Sequence, residues 1–142
     1  GFDDDTVDVF PTTLNWLVHN RIETLTSHIL TPYPGTRLHQ RLSDEGRIVD
    51  TDPRHYNTSY AVFSPKRMSR EELKQGYLWI YHEFYSWANI WRRLPDDPKR
   101  RTAFLLFNLG YRKFGRATAM VGKMRMMRSI GSLARKLSYG ID

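Results

Sequence analysis

The stretch that decides the fold is LTPYPGTRL, at residues 30–38. Proline fixes φ and lacks an amide donor, so a β-strand cannot continue past Pro32 and Pro34. Gly35 permits a sharp change of direction, and the Thr36 side chain can cap a helix that starts at the next residue. The stretch therefore predicts a corner between a strand and a helix, a position where α/β proteins place ligand contacts.

The residues on both sides of this corner predict a helix, a strand and a second helix. Residues 6–21 place apolar side chains at helical spacing, with Pro11 acceptable only in the first turn. Residues 23–31 are rich in Thr, Ile and Leu, which favours a strand. Residues 36–45 predict a short helix that Gly46 ends. This order of elements is expected of the last units of a β/α barrel.

The next segment predicts an irregular connector followed by a long helix. Residues 48–68 are mostly irregular, with one short strand at residues 60–63. Ser69 and Glu72 form the pattern of a capping box, so a helix begins there, and aromatic residues at helical spacing extend it to Pro95.

The C-terminal third predicts two basic amphipathic helices. Apolar residues recur at three- and four-residue steps beyond Pro98, and the glycines interrupt this pattern. We expect the break between the two helices to lie between Gly115 and Gly122.

The charge of the chain is concentrated in this last third. Residues 1–98 contain eleven basic and fourteen acidic residues, whereas residues 99–142 contain eleven basic residues and one acid, Asp142. The net charge is +7, so the C-terminal region alone makes the chain basic. Such an asymmetry predicts an anionic partner for that region: an acidic protein face, a membrane surface or nucleic acid.

The sequence offers little support for other chemistry. It has no cysteine, which excludes disulfides and thiolate metal sites and is compatible with a reducing cytoplasm. The consecutive acids at residues 3–5 lack the alternating spacing of a calcium loop, and the five histidines are scattered singly. We therefore predict no catalytic residue and no metal ligand in this chain. His28, close to the end of the predicted strand, is the histidine that could face a barrel mouth.

Three spaced motifs carry a resemblance to a known family. The order GFDxD at residues 1–5, ILTPYPGT at residues 29–36 and EGR at residues 45–47 resembles radical S-adenosylmethionine (SAM) proteins. The closest group carries an N-terminal cobalamin-binding domain, and its members are often named B12-binding radical SAM proteins or Fe-S oxidoreductases. Such enzymes hold a [4Fe-4S] cluster through a CxxxCxxC loop, which this cysteine-free chain does not contain.

The resemblance implies where cofactor contacts would lie. The GFDxD motif would follow the fifth barrel strand, itself absent from this sequence, and the ILTPYPGT motif would end the sixth, so both would lie at the barrel mouth. In this family the ends of these strands approach the adenosine of SAM, chiefly through backbone and apolar contacts. The candidate SAM-side residues are Gly1, Phe2, Asp3, Thr31, Pro32 and Tyr33.

We therefore predict a mainly helical α+β chain with one or two short strands. Residues 1–47 would complete a radical SAM barrel, and residues 69–142 would form a helical C-terminal cap with a basic tail. Residues 48–68 would form an irregular connector between these two parts. The parent enzyme would use SAM, a [4Fe-4S] cluster and cobalamin, with the N-terminal radical SAM and cobalamin-binding domains as partners of this chain. The fragment alone would bind no cofactor and be inactive.

An alternative interpretation is a free-standing module whose basic amphipathic helices bind an anionic surface. For the basic tail an ordinary solvated face on packed helices ranks first, contact with a membrane second and nucleic acid third. Either way we expect a cytoplasmic chain that can associate with a membrane through its basic tail.

Overall fold

The computed structural model describes residues 1–121, with side-chain surroundings through residue 113. This part is mainly helical. Residues 1–121 contain no β-strand, and their only bridge pairs Ile48 with Phe63 in antiparallel orientation. The helices are α1 (Val9–His19), α2 (Arg37–Asp44), α3 (Arg70–Phe84), α4 (Trp87–Arg92) and α5 (Pro98–Val121), with a 3-10 turn at Pro53–His55.

The turn at Gly35 and the helix start after Thr36 form as the sequence predicts. Gly35 adopts a positive φ of 85°, and the Thr36 side chain accepts a hydrogen bond from the His39 amide at the start of α2. Gly46 follows the end of α2 with a φ of 64°, as expected for a glycine at this position. The sequence therefore correctly predicted the two positions, Gly35 and Gly46, where the backbone adopts a conformation that favours glycine.

The start of α3 is also confirmed. The Ser69 hydroxyl accepts from the Glu72 amide at 3.1 Å, while the Glu72 carboxylate accepts from the Ser69 amide at 2.6 Å. Both halves of the capping box are thus formed. Met68 and Leu73 are buried in one apolar cluster at this helix start.

The predicted single helix from residue 69 to residue 95 is wrong, because it is divided in two. α3 ends at Phe84, and the Ser86 side chain caps α4 by accepting from the Asn89 amide at 3.3 Å. Serine is favoured at such N-terminal caps because its hydroxyl replaces an intrahelical partner. Apolar spacing continues across this junction, so it did not reveal the cap.

The predicted strand at residues 23–31 is also wrong for the described part of the chain. The segment is extended, but no strand lies beside it. Its backbone groups at Leu25 and Ser27 instead hydrogen-bond to the hydroxyls of Tyr85 and Tyr81. The predicted strand at residues 60–63 reduces to the single bridge at Phe63. A barrel is therefore not present within residues 1–121.

The C-terminal helix can be compared with the expectation only as far as Val121, and the predicted break before Gly122 stays a prediction. α5 runs through Gly110 and Gly115 to Val121 without a break. The predicted second basic helix, beyond Gly122, lies outside the described residues.

Two apolar clusters hold the described part together. The α1–α3 cluster joins these two helices to the extended segment and consists of Leu14, Leu17, Leu25, Ile80, Phe84 and Tyr85. The connector cluster consists of Ile29, Leu42, Ala61, Phe63, Met68 and Leu73. Helix α1 approaches α3 very closely at Gly76, where an added Cβ would lie 2.0 Å from the Phe10 ring. Each cluster contains one buried residue of the extended segment, which is therefore packed at both ends.

Candidate functional site

A cleft of about 390 Å³ lies along the extended segment. Its walls come from the N-terminal loop, α1, residues 27–31 of the extended segment, and α3. The apolar side chains of Leu73, Tyr77 and Ile80 form the α3 wall. The cleft therefore combines an apolar wall with main-chain groups of extended backbone, as small-molecule sites commonly do.

Three of the six predicted SAM-side residues line this cleft: Gly1, Phe2 and Thr31. Phe2 is 68% exposed, so its ring is available for contact with another molecule or domain. The Thr31 hydroxyl donates to the Ile29 carbonyl at 3.1 Å, which keeps it at the end of the extended segment. The structure thus brings residues of both the GFDxD and the ILTPYPGT motif to one cleft.

The other three predicted residues lie elsewhere. Pro32 is fully buried, and Tyr33 is 46% exposed with its ring 6.5 Å from that of Tyr56. Asp3 is directed toward the end of α2, where it contacts Arg41 and Arg47. None of these three lines the cleft.

The N-terminal loop is folded back on itself. The Asp5 carboxylate accepts from the Gly1 nitrogen at 2.8 Å and from the Phe2 amide at 2.9 Å. The Asp5 amide in turn donates to the Phe2 carbonyl at 3.1 Å. These bonds fix the loop that presents Phe2 at the cleft.

Asp3 physically joins two of the motifs. Its carboxylate accepts from Arg47 of the EGR motif at 2.8 Å, and Arg47 also donates to the Glu45 carboxylate at 2.8 Å. Hydrogen bonds from Arg41 and Arg47 hold the pKa of the Asp3 carboxyl well below its usual range. Within the described residues Asp3 therefore has a structural role as the partner of two arginines. Its neighbour Phe2 lines the cleft.

Arg47 is held more tightly than a surface arginine. Only 12% of its side chain is exposed, and its Nε donates to the Ser64 carbonyl at 2.7 Å. Its guanidinium lies 5.9 Å from the centre of the Phe63 ring. Through Arg47, the N-terminal loop, α2 and the connector are tied together.

The sequence motifs did not identify several residues that line the cleft. Ser27 and Tyr77 lie outside every motif, and Leu30 lies inside the ILTPYPGT motif without being a candidate, whereas His28 was noted only as close to the strand end. The His28 ring nitrogen Nδ1 lies 2.9 Å from the Thr58 hydroxyl. No sequence signal separates these residues from their neighbours, because residues 27–31 line the cleft consecutively and Tyr77 comes from α3.

A second cleft, of about 480 Å³, lies at the other end of the extended segment. Its lining includes Arg21, Glu23, Asp96 and Arg100, which already form the ion pairs Arg21–Asp96 and Arg100–Glu23 across it. None of the predicted site residues lies there. The cleft beside Phe2 is therefore the candidate site.

Two general searches of the described residues gave negative results. Within residues 1–121, no three His, Asp or Glu side chains are grouped so that they could hold a metal ion. In the same range, no helix combines the length and apolar character that spanning a membrane requires.

Comparison with known proteins gives matches over most of the chain. Residues 36–103 match a family described as a domain of unknown function (DUF4070). No solved structure matches the chain.

Two relatives from Chlorobaculum tepidum carry informative names. Bacteriochlorophyllide d C-12(1)-methyltransferase is 33% identical over 107 residues, which are 75% of this chain and 23% of that protein. Bacteriochlorophyllide d C-8(2)-methyltransferase is 27% identical over 109 residues, 77% of this chain and 24% of that protein. The chain thus spans about a quarter of the length of these relatives.

These matches bear out the resemblance that the motifs indicated. The chain is similar to the C-terminal portion of a B12-binding-type radical SAM protein.

Proposed function

We propose that this chain is the C-terminal part of a cobalamin-type radical SAM methyltransferase. The observation that carries the proposal is the 33% identity to bacteriochlorophyllide d C-12(1)-methyltransferase across three quarters of the chain. The longer protein would transfer a methyl group from SAM to an unreactive carbon. This chain would supply one side of the barrel rim and a helical cap.

The residues of this chain do not fit an iron-sulfur cluster. Such clusters are held by cysteine thiolates, and the sequence has no cysteine. The cluster and the cobalamin would therefore be held by other domains of the longer protein, as the resemblance implies. We expect the 142-residue chain alone to be inactive for that reason.

The contribution of this chain would be to form one wall of the SAM site. Gly1, Phe2 and Thr31 line one cleft, and hydrogen bonds between Phe2 and Asp5 fix the loop that carries Phe2. Contacts of this kind position a ligand and exclude water rather than transfer protons. Asp3, Pro32 and Tyr33 stay in the proposal as residues that shape the rim beside this wall.

The extended segment has a polar outer face that suits a barrel lumen. Thr24, Thr26 and His28 are exposed, while Leu25 and Ile29 are buried against the helices. In a closed β/α barrel the face opposite the helices points inward. We propose that residues 23–31 form the last strand of the barrel once the rest of the sheet is present.

The names of the relatives suggest a tetrapyrrole pigment as the first substrate class to test. Both relatives are named for methylation of bacteriochlorophyllide d, at two different carbons. We place the longer protein in the cytoplasm, where SAM is made and thiolate clusters persist in reducing conditions. Contact of the basic tail with an anionic membrane stays a prediction of the charge pattern.

The proposal is tested with the longer protein that contains this sequence. After anaerobic loading with cluster and cobalamin, it is given methyl-labelled SAM, a reductant and bacteriochlorophyllide d. We expect 5′-deoxyadenosine to form and label to appear in the pigment. Absence of both products with a fully loaded enzyme would contradict the assignment to this family.

A matched pair of variants tests the cleft. Phe2→Ala should lower label transfer by about tenfold or more, equivalent to ~1.4 kcal/mol of transition-state stabilisation. Phe107→Ala is the control, because Phe107 is 62% exposed, similar to the 68% of Phe2, but lies outside the cleft. Equal activity of the two variants would remove Phe2 from the site.

A further inference from the structure

The connector between α2 and α3 carries a histidine–aspartate pair that the proposed function does not use. The His55 Nδ1 atom lies 2.7 Å from the Asp50 carboxylate. Hydrogen bonds from the Asp52 amide and the His55 ring hold the pKa of the Asp50 carboxyl below its usual range, so at neutral pH this group only accepts. The shared proton therefore belongs to Nδ1, and the neutral ring keeps a lone pair on Nε2. Among the described residues Nε2 has no hydrogen-bond partner.

The His55 ring is held in place on two sides. Asp50 binds its Nδ1 atom, and the Tyr60 ring stacks on it with the ring centres 4.5 Å apart. The Tyr56 hydroxyl donates to the Asp50 carbonyl at 3.0 Å, which fixes the backbone that carries the carboxylate. Histidines that ligate metals commonly donate their other ring nitrogen to a carboxylate, which sets the tautomer and the orientation of the ring. The pair therefore has the arrangement of a metal-ligating histidine.

The loop that carries His55 is attached beside the cleft that Phe2 lines. The Thr58 carbonyl accepts from the Ile29 amide at 2.8 Å, and the Thr58 hydroxyl lies 2.9 Å from the His28 ring nitrogen Nδ1. Both His28 and Ile29 line the cleft, whereas His55 does not. Thr58 has a φ of 66°, a costly conformation for a β-branched residue that persists only where surrounding contacts impose it. The loop is thus fixed next to the cleft.

Exposed aromatic rings surround the pair. Tyr33 and Tyr60 are both exposed. The Tyr56 ring lies between the two in sequence, next to His55, and its centre is 6.5 Å from that of Tyr33. Tyrosine rings of this kind provide an apolar contact surface with a polar edge, which suits a large flat ligand.

We propose that His55, oriented by Asp50, is an axial ligand to the central magnesium of a tetrapyrrole substrate, with the neighbouring tyrosines in contact with the macrocycle. The inference rests on the proposed function for its substrate class, a bacteriochlorophyllide, whose ring nitrogens hold magnesium and leave an axial position open. Imidazole is a usual axial ligand of tetrapyrrole-bound metals, as in haem proteins. Such a metal needs a single protein ligand, so no group of three ligating side chains is required.

The position of the pair beside the cleft agrees with methylation at the edge of a macrocycle. The relatives are named for methylation at C-12(1) and C-8(2), which are carbons of peripheral substituents. The metal at the centre lies away from such carbons, so its ligand belongs next to the SAM cleft rather than inside it. An axial bond also leaves the macrocycle free to rotate about the metal, so one ligand could present different peripheral carbons to the same cleft.

Binding of the pigment with and without its metal tests the proposal in the longer protein. Dissociation constants are measured by tryptophan fluorescence quenching for bacteriochlorophyllide d and for the same pigment with magnesium replaced by two protons. We expect wild type to bind the magnesium form at least about tenfold more tightly, and His55→Ala to bind both forms equally. Added imidazole should restore the preference in His55→Ala. A wild-type protein that binds both forms equally, or neither form, would overturn the proposal.

Two further variants separate metal ligation from folding of the loop. Asp50→Asn should reduce the preference for the magnesium form without abolishing it, because the ring keeps its ligating nitrogen but loses its carboxylate partner. His82→Ala is the matched control, since the His82 Nδ1 atom also lies beside a carboxylate, that of Glu83, at 3.0 Å, but on α3 and outside both clefts. It should keep the wild-type preference. If His55→Ala weakened binding of both pigment forms equally, the role of His55 would be structural and the proposal wrong.

The cobalt of cobalamin is a second metal that could take an imidazole ligand in the longer protein. The absorption spectrum of the cobalamin-loaded protein reports the axial ligands of cobalt. We expect the same spectrum for wild type and His55→Ala. A change in the cobalamin spectrum of His55→Ala would assign the histidine to cobalt and overturn its assignment to the pigment.

Binding and turnover give separate answers. A longer protein whose preference for the magnesium form depends on His55, but that transfers no methyl group, would disprove the proposed function and leave the metal ligand in place. Methyl transfer to the pigment with no preference for the magnesium form would leave the function intact and remove His55 from the site.

Discussion

Arg93 and Arg47 are two shielded arginines that stabilise different regions by different means. Arg93 is fully buried where α3, α4 and α5 meet the start of the extended segment. Among the described residues its guanidinium donates only to neutral oxygens, at 2.7–3.1 Å: the carbonyls of Ile22, Glu23, Phe84 and Asn89 and the side-chain oxygen of Asn108. Arg47, in contrast, donates to the carboxylates of Asp3 and Glu45.

The difference teaches how charge is used in each region. The guanidinium of Arg93 lies 3.5 Å from the centre of the Phe84 ring, and burial lowers its pKa to about 10, so it stays charged at neutral pH. Carbonyl oxygens do not titrate, so this region should be insensitive to mild acid. The Arg47 region depends on carboxylates and should weaken as they are protonated. The Arg93 region is thus stabilised by hydrogen bonds to neutral oxygens, and the Arg47 region by ion pairs with carboxylates.

The largest expected effect is at Arg93. Arg93→Met would leave several buried carbonyls without donors, and we expect it to lower the free energy of unfolding by at least about 3 kcal/mol. Arg93→Lys keeps the charge but loses the planar fork, so it should fall between wild type and the methionine variant. Urea denaturation followed by tryptophan fluorescence measures both. An Arg93→Met variant within about 1 kcal/mol of wild type would contradict the role assigned to this residue.

The next effect sharpens the comparison through pH. Arg41 and Arg47 lower the pKa of Asp3 in the folded chain, so the Asp3 carboxylate stabilises the fold above its ordinary pKa of 3.8. This contribution is lost as the pH falls below that value toward the lowered folded pKa. Asp3→Asn should therefore be less stable than wild type at pH 6, and the gap should narrow below pH 3.8. Urea midpoints across this pH range provide the measurement.

Asp4→Asn is the control for that series. Asp4 is exposed next to Asp3, and its side chain forms no ion pair within the described residues. The free energy of unfolding of the Asp4→Asn variant should equal that of wild type at every pH. A gap between wild type and Asp3→Asn that stays constant down to pH 2 would show that the ion pairs contribute no pH dependence.

Local chemistry explains which parts of the fold could be predicted from the sequence. The caps at Thr36 and Ser69 and the turn at Gly46 depend on residues within four positions, and all three are formed. The division at Ser86 was missed because apolar spacing continues through it. The β-propensity of residues 23–31 correctly indicated extended backbone but not its partners. Those partners are tyrosines more than 50 residues away in sequence.

The role of the six candidate residues at a SAM site stays a prediction. The motifs anticipated that Gly1, Phe2 and Thr31 lie close together, but not that the Asp3 carboxylate is directed at two arginines. A motif position does not distinguish a ligand contact from an ion pair. Arg93 belonged to no motif, and its importance follows only from contacts across 70 residues.

The smallest expected effect compares Arg41 with Arg47, which share Asp3 as a partner. The side chain of Arg41 is 48% exposed, against 12% for Arg47, so water and salt screen its ion pair more strongly. Arg41→Gln should cost about 0.5 kcal/mol of unfolding free energy and lose that effect in 1 M salt. Arg47→Gln should cost more and keep most of its effect in salt, since it also removes the partly buried hydrogen bond to the Ser64 carbonyl. If both variants lose the same unfolding free energy and salt abolishes both losses, the two arginines bind Asp3 equally as surface ion pairs. Arg93 would then be the one arginine of the three whose contribution to stability depends on burial.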